Sequence, residues 1–426
     1  PMLAELVEQG KLPPVEERLP AEPYVVGPDK LVQEKSVPFQ VGKYGGTLRL
    51  VQPDPNGDPH IQIGVTEPLI WAPAGFQFEK GIEGNVLKGF EASADNKSFT
   101  FYMREGLKWS DGHPVTTEDV KFTWEDVLLN DELTPIFPLW LRSGYKADGK
   151  PAELDIIDEY TFRISFDEPY GTFPAMLAIS QWRNYAELIV PAHYAKRFHA
   201  KYTPLEELEP LIKEAGFLEG EWWNLFGARV LRHAGSVPNP TFIGCPTLNP
   251  WVMTKGEKGV FIYERNPYYF KVDTAGNQLP YIDRIESLLV QDFEMLTMKA
   301  LTGEIDYAGE RSTMKDLPLL KKNEEKGNYN TAILPMHRTP TTFFLNLTLE
   351  DPVWREVVRD VRFRRALAMA INYEELIDTF YLGYASVPKA TPGIYDPAGA
   401  NELLDAAGLD KRDAEGYRLG PDGKRF

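Results

Sequence analysis

Between Ser98 and Arg104 the chain alternates Phe99, Phe101 and Met103 with polar or smaller residues, and this period of two predicts a strand with one buried face. Asp111-Gly112 then predicts a turn. Thr116 or Thr117 stands where a helix cap belongs, with Glu118 and Asp119 in the first turn, where the helix dipole favours negative charge. Val120, Trp124, Val127 and Leu128 recur at helical spacing and predict one apolar stripe. Tyr160, Phe162, Ile164 and Phe166 predict a further strand. An earlier one, Gly46 to Val51, ends at Pro53-Asp54-Pro55-Asn56-Gly57-Asp58-Pro59, too rich in proline and turn residues to extend it. The strand, turn and helix of residues 98–128 assemble no nucleophile, base or metal set, and by themselves they describe a core.

The ends of the chain carry different patterns. Residues 1–44 hold Pro13-Pro14, Pro20, Pro23, Pro28 and Pro38, too closely spaced for long helices or central strands, and predict an extended arm wrapped on the body. Asp360 caps a predicted helix with Phe363, Ala366, Leu367 and Ala370 on one face, and Asn372 with Glu375 three residues on marks the start of another. Gly416 to Phe426 reads as a strand, a Pro-Asp-Gly turn and the start of a returning strand. A bare strand edge is a pairing hazard, so the expectation is that the natural chain continues or that a second fragment completes it.

At 426 residues the chain exceeds the roughly 250 to 300 at which a single core stops growing, so at least two domains are expected. A composition 43% hydrophobic and 26% charged is that of a soluble globular protein, and no run approaches the roughly 18 to 20 apolar residues of a membrane span. The net charge of −17, without long basic runs, argues against nucleic acid and anionic membrane as partners. One cysteine, Cys245, allows neither an internal disulfide nor a four-cysteine zinc site.

Candidate chemistry is sparse. G-x-S-x-G, H-E-x-x-H, the Walker phosphate loop and G-x-G-x-x-G are all absent, and the histidines at 60, 113, 193, 199, 233 and 337 lack metal-ligand spacing. His193 and His199 read as surface or core-edge residues, and Cys245 and His233 are close in sequence, which is no evidence of a thiol and base. Asp54, Asn56 and Asp58 are spaced like the start of a calcium loop, but Pro59 replaces its glycine and Val65 its closing glutamate. No enzyme activity, metal or cofactor is expected.

The wording of Leu107 to Glu125 is more telling than its periodicity. Met103-Arg104-Glu105-Gly106-Leu107-Lys108-Trp109-Ser110-Asp111-Gly112 and Pro114-Val115-Thr116-Thr117-Glu118-Asp119-Val120 closely resemble the signature of the family 5 extracellular solute-binding proteins, receptors of ABC importers for peptides, nickel and related solutes. Further blocks follow in the family's order: Gly45-Gly46-Thr47-Leu48-Arg49, Glu264-Arg265-Asn266-Pro267-Tyr268-Tyr269, Pro280-Tyr281-Ile282-Asp283, Leu301-Thr302-Gly303-Glu304-Ile305-Asp306, Phe344-Leu345-Asn346 and Asp360-Val361-Arg362-Phe363-Arg364-Arg365-Ala366-Leu367. One block departs. Where many members carry a glycine-rich segment before the ERNP block, this chain reads Gly244-Cys245-Pro246-Thr247-Leu248-Asn249-Pro250-Trp251, and a different backbone flexibility is expected there.

The resemblance implies an α/β, two-lobed periplasmic-binding-protein type II fold with an extra small domain, its C-terminal part lying beyond this chain. Its domains are then the arm 1–44, a discontinuous domain I of 45–51 and 189–312, domain II at 52–188 and an incomplete domain III at 313–426, with a hinge crossing near 187–192. It also implies a monomeric receptor in the periplasm or on the cell surface that hands a solute, peptides first, to an ABC permease without making or breaking a bond. Oligosaccharides and opine-like conjugates are the alternative ligands, and a secreted peptide-binding chaperone without a permease is the alternative class.

With nine Trp, 20 Tyr and 23 Phe, most aromatic side chains must be core, yet a few can line a ligand cleft. By their positions near loops and domain crossings the candidates are Trp71, Trp182, Tyr185 and Trp251, with Asp54, Asn56, Arg183, Asn184 and Asn346 for polar orientation. Trp109 and Trp124 are assigned to the core.

Overall fold

Phe99 and Phe101 face inward from the strand Ser98–Tyr102, and the strand Thr161–Ser165 pairs with it antiparallel so that Phe101 meets Phe162 and Phe99 meets Ile164. All four side chains are fully buried, and the Phe101 and Phe162 rings stack at 5.2 Å. The strands Gly89–Ala92 and Glu153–Asp158 complete a four-stranded antiparallel sheet on either side. Glu153–Asp158 is an edge strand, and its carboxylates discourage further pairing.

This computed structural model describes residues 2–30, 39–52, 66–72, 81–178, 184–230, 240–309, 313–333, 343–387, 389 and 393–426. The chain divides into two compact units, 1–311 and 312–426.

The helix that follows the turn starts where the carboxylates require it. Thr116 is the cap, its side chain accepting the Glu118 amide at 3.3 Å while Asp119 accepts the Thr116 amide at 3.2 Å. Val120, Trp124, Val127 and Leu128 are all buried. Spacing alone does not predict the change at Thr123, where the helix Thr117–Phe122 widens into a π turn over Thr123–Leu128 and the Leu129 amide bonds the Trp124 carbonyl at 3.0 Å. The Thr123 hydroxyl donates to the Asp119 carbonyl at 2.7 Å and accepts the Val190 amide at 3.0 Å. A hydroxyl bonded to the carbonyl four residues back competes with the helical ladder, and here a distant segment is fastened to it.

A second sheet gathers residues far apart in sequence. Thr47–Gln52 pairs in parallel with Arg284–Leu289, beyond which lie Val260–Arg265 and Trp251–Glu257, both antiparallel. Leu50, Met253, Phe261, Tyr263 and Ile285 form its core. Residues 47–52 therefore share a sheet with 251–289, while the intervening residues 89–165 build the first sheet.

The N-terminal residues form two short helices, Met2–Glu8 and Val15–Arg18, and a strand Tyr24–Val26 parallel to Lys271–Asp273. Prolines keep these elements short, and specific polar contacts hold them: Arg18 donates to Gln278 at 2.9 Å, the Ala21 amide to the Glu105 carbonyl at 2.9 Å, and Arg104 to the Glu22 carbonyl at 2.7 Å.

In the second unit the helices Pro352–Arg359 and Val361–Met369 meet over Val357, Val358, Phe363 and Leu409. Asp360 caps the latter through the Arg362 amide at 2.8 Å, and Asn372 caps Tyr373–Tyr381 through that of Glu375 at 3.2 Å. The apolar face is narrower than the sequence suggests. Phe363 and Ala366 are buried, whereas Leu367 and Ala370 are exposed, because the helix turns only its Phe363 edge to the core. At the last residues Leu419 bridges Arg425 across a turn closed by the Gly423 amide on the Gly420 carbonyl at 2.9 Å, and the Phe426 ring stacks on Trp354 at 5.9 Å.

Candidate functional site

Three blocks that the sequence singles out are locked together in the first unit. Trp109, fully buried, donates its indole N–H to Asp119 at 3.2 Å, and the other carboxylate oxygen of Asp119 accepts the Ala192 amide at 2.9 Å. Gly112 has φ +89°, a backbone conformation that favours glycine, and a Cβ there would lie 2.8 Å from the hydroxyl of Tyr268, so a larger residue would be strained and would also displace the end of that tyrosine. Asn266 donates to the carbonyls of Thr247 at 3.3 Å and Asn249 at 2.9 Å. Ser110 and Thr247 exchange a further pair of bonds at 3.0 and 3.1 Å. The segment that departs from the glycine-rich pattern is thus pinned, and residues 245–250 are buried.

Burial pushes the Asp119 carboxyl up to about 6, against the bonds it accepts from Ala192, Thr116 and Trp109. Its value when unfolded is near the ordinary 3.8, so the folded chain holds this proton more tightly. The contribution is therefore full below about pH 4 and is lost as pH rises through about 6. Asp119→Asn, which cannot ionise, should gain stability relative to the unsubstituted chain between about pH 4 and 7. Paired urea midpoints across that window test this, and a constant difference between the two proteins would reject it.

A buried polar cluster surrounds Glu67. One oxygen of its buried carboxylate accepts the Tyr269 hydroxyl; the other accepts the Lys271 ammonium at 2.8 Å and the Asn85 amide at 2.7 Å. Burial and the neighbouring Glu67 carboxylate hold the Tyr269 phenol well above its usual range, so it stays a donor. Beside this cluster stands Trp71, opposite Glu83 in a two-stranded ladder. The Trp71 indole N–H donates to the Tyr24 hydroxyl at 3.0 Å and to Glu83 at 3.3 Å, and Lys271 lies 4.9 Å from its ring centroid. Lys30 pairs with Glu83 at 2.7 Å. Charges are matched, and Trp71 itself is half-buried, with the Tyr24 ring edge-on against it at 5.7 Å.

The remaining candidates are placed differently. Tyr185 is 1% exposed, and its hydroxyl is held by Thr247 at 2.8 Å and the Leu248 amide at 3.0 Å. Asn184 is buried and caps the turn Tyr185–Glu187 through the Ala186 amide at 3.2 Å. Trp251 is half-buried, with its N–H on the Ile282 carbonyl at 3.0 Å. Asn346, in the second unit, is exposed and accepts the Thr348 amide and hydroxyl, both at 3.0 Å. Asp54, Asn56, Trp182 and Arg183 lie outside the described residues, as do Asp58 of the calcium-like spacing and His233. Trp71 thus stands in a polar and aromatic cluster whose other members, Glu67, Lys271, Tyr24 and Asn85, sequence reasoning missed. Position 67 and position 271 share no local pattern that could have paired them.

His199 lies deeper than the core edge that the sequence suggests. It is 2% exposed, ringed by Phe122, Tyr202, Trp222 and Phe226, with one nitrogen on the Asp126 carbonyl at 2.9 Å, and burial lowers its pKa. His193, half-buried, pairs with Asp111 at 2.8 Å and stacks on His113 at 3.9 Å. Cys245 is buried. Among the described residues no group of three or more His, Cys, Asp or Glu side chains could hold a metal ion, and no helix is long and apolar enough to cross a membrane.

Comparison with known proteins gives these features a context. The family model described as "Bacterial extracellular solute-binding proteins, family 5 Middle" matches residues 81–426. The periplasmic alpha-galactoside-binding protein of Rhizobium meliloti (strain 1021) is 27% identical over 471 residues, covering 98% of this chain and 60% of that protein. The periplasmic oligopeptide-binding protein OppA of Salmonella typhimurium (strain LT2) is 25% identical over 339 residues, covering 75% of this chain and 51% of that protein. Among solved structures, an oligopeptide-binding protein OppA is 34% identical with a TM-score of 0.65, covering 100% of this chain and 65% of its own. The periplasmic binding protein MelB of Agrobacterium fabrum C58, solved with stachyose, gives 21% identity and a TM-score of 0.68, covering 99% of this chain and 64% of its own. The chain therefore spans between 51% and 60% of the length of these two curated relatives. The α/β class expected from the sequence is that of the solved neighbours.

Proposed function

This chain belongs to the bacterial extracellular solute-binding proteins of family 5, and from that membership we propose that it is the receptor of an ABC importer, acting outside the cytoplasm. It captures a solute between two lobes and delivers it to a permease, with no bond made or broken. The observation that carries this reading is the family match across residues 81–426, which includes the interlocked signature, the ERNP block and the helices of the second unit.

Residues 47–52 and 251–289 belong to one lobe by their shared sheet, and residues 187–192, tied to Asp119 and Thr123, form the crossing to the small domain. Closure is favoured because the ligand bridges both lobes, so affinity is the contact energy less the cost of closing. The ligand we favour is a peptide, in line with the 34% identity to an oligopeptide-binding protein over the whole chain.

An oligosaccharide is the second reading, favoured by one observation: the alpha-galactoside-binding relative aligns over 98% of the chain, against 75% for the Salmonella oligopeptide-binding protein. Native mass spectrometry of the protein as purified, followed by denaturing extraction, separates the two. A ladder of peptide masses is the expected result, and a single oligosaccharide mass would move the assignment to the second reading. If nothing is retained and a broad panel of peptides and oligosaccharides gives no thermal shift, the receptor reading fails.

A further inference from the structure

Both ring nitrogens of His199 are committed to backbone groups where the π turn meets the helices Leu205–Glu214 and Trp222–Arg229. The Lys201 amide donates to Nδ1 at 3.1 Å, so that nitrogen carries no proton. Nε2 must then carry it, and it donates to the Asp126 carbonyl at 2.9 Å. The fold thus selects the neutral ring and a single tautomer.

The surroundings of the ring agree with this. The Trp222 ring packs on it at 4.6 Å between centroids, and burial lowers its pKa below the ordinary 6.5. Charged and titratable groups face it from each neighbouring element. Asp126 in the π turn and Glu132 in the loop that follows favour the cation, and the Glu132 carboxylate accepts the Trp222 indole N–H at 3.1 Å. Lys201 opposes it, its ammonium resting with the Tyr202 hydroxyl on the Asp126 carboxylate. From the stretch before it, Lys196 lies 5.1 Å from the Tyr202 ring centroid and Arg197 5.6 Å from that of Phe198. Asp119, in the same helix as the π turn, acts in the opposite sense, since its contribution falls as pH rises.

We propose that His199 is an acid-sensitive latch, whose protonation frees the 199–203 turn from the π turn and loosens the two helices packed against it. A proton on Nδ1 meets the Lys201 N–H, leaving two donors and no acceptor between ring and amide. The Tyr202 and Thr203 amides bond the His199 carbonyl at 2.9 and 3.0 Å, so the turn moves with the ring. As the charged imidazole leaves the core it draws Lys201 and Tyr202 off Asp126 and opens the apolar cluster that contains Phe122, Leu208, Ile212 and Phe226. Because the folded chain binds this proton less tightly than the unfolded one, the neutral ring's contribution is full above 6.5 and is lost as pH falls below it.

Hydrogen exchange of the full chain at about pH 7 and about pH 5, expressed as protection factors, is the test. Residues 199–203, 208–212 and 222–226 should lose about tenfold in protection at the lower pH, while the strands Ser98–Tyr102 and Thr161–Ser165 keep theirs. His199→Gln offers an amide oxygen to Lys201 and an amide N–H to Asp126 and takes up no proton, so its loss should be about twofold or less. Equal protection at both pH values in the unsubstituted chain overturns the proposal, as does an undiminished loss in the glutamine variant. Should that variant not fold, ring-nitrogen NMR of the unsubstituted chain decides, with His199 recognised by the slow exchange of its buried Nε2 proton. Its titration should coincide with the loss of protection at the Lys201 amide, and a ring that titrates while that amide stays protected overturns the proposal.

Discussion

Glu67→Ala should destabilise the first unit by about 3–5 kcal/mol, because it leaves the Lys271 ammonium in the interior without its counterion. The two side chains are 7% and 9% exposed, so water cannot replace the lost partner. The aromatic faces around Lys271 compensate only in part; Trp71 is nearest, at 4.9 Å from ring centroid to nitrogen. The same substitution removes the acceptor of the Tyr269 hydroxyl and one acceptor of the Asn85 amide, which keeps the Pro68 carbonyl at 2.7 Å.

Lys271→Ala should cost less, since Glu67 would still accept both of those bonds. The order of the two variants is therefore as diagnostic as their size. Hydrogen exchange of residues 84–87 and 269–272 measures the effect locally, which suits a chain of two compact units better than one global midpoint. A loss below about 1 kcal/mol for Glu67→Ala would mean that the pair is hydrated.

The cluster also shows where sequence reading reaches its limit. Strands and helices announce themselves through short periods: Phe99, Phe101, Phe162 and Ile164 at a spacing of two, and Val120, Trp124, Val127 and Leu128 near the helical spacing, are all buried as their patterns require. The π turn does not announce itself, and the Thr123 hydroxyl at its start is bonded by the amide of Val190, 67 positions away. Glu67 and Lys271 are brought together by pairing of Tyr24–Val26 with Lys271–Asp273 and by the ladder at Ile70–Trp71, neither of which has a local signature linking the two.

Single aromatic residues carry even less information. Trp71 is half-buried in a short strand, whereas Tyr185 is enclosed with its hydroxyl bonded to Thr247. Composition counts rings but cannot say which way a turn faces.

The signature block itself is best understood as a fastening, and Trp109 tests that. Trp109→Ala should cost about 3–5 kcal/mol, since it empties a fully buried indole volume against Tyr185, whose ring lies 5.9 Å away, and withdraws a donor from Asp119. Trp109→Phe keeps most of the volume and loses only the donor, for about 1–3 kcal/mol, because Asp119 retains the amides of Thr116 and Ala192. If the block fastens the small domain to the crossing segment, the phenylalanine variant should lose exchange protection first around Ala192. Its affinity for the solute identified by extraction should then stay within about threefold of the unsubstituted value. A Trp109→Phe chain of unchanged stability that no longer binds solute would show the indole to be a ligand contact instead. The enclosure of Trp109 by Asp119, Tyr185 and the Ser110–Thr247 bonds is the reason to expect the first outcome.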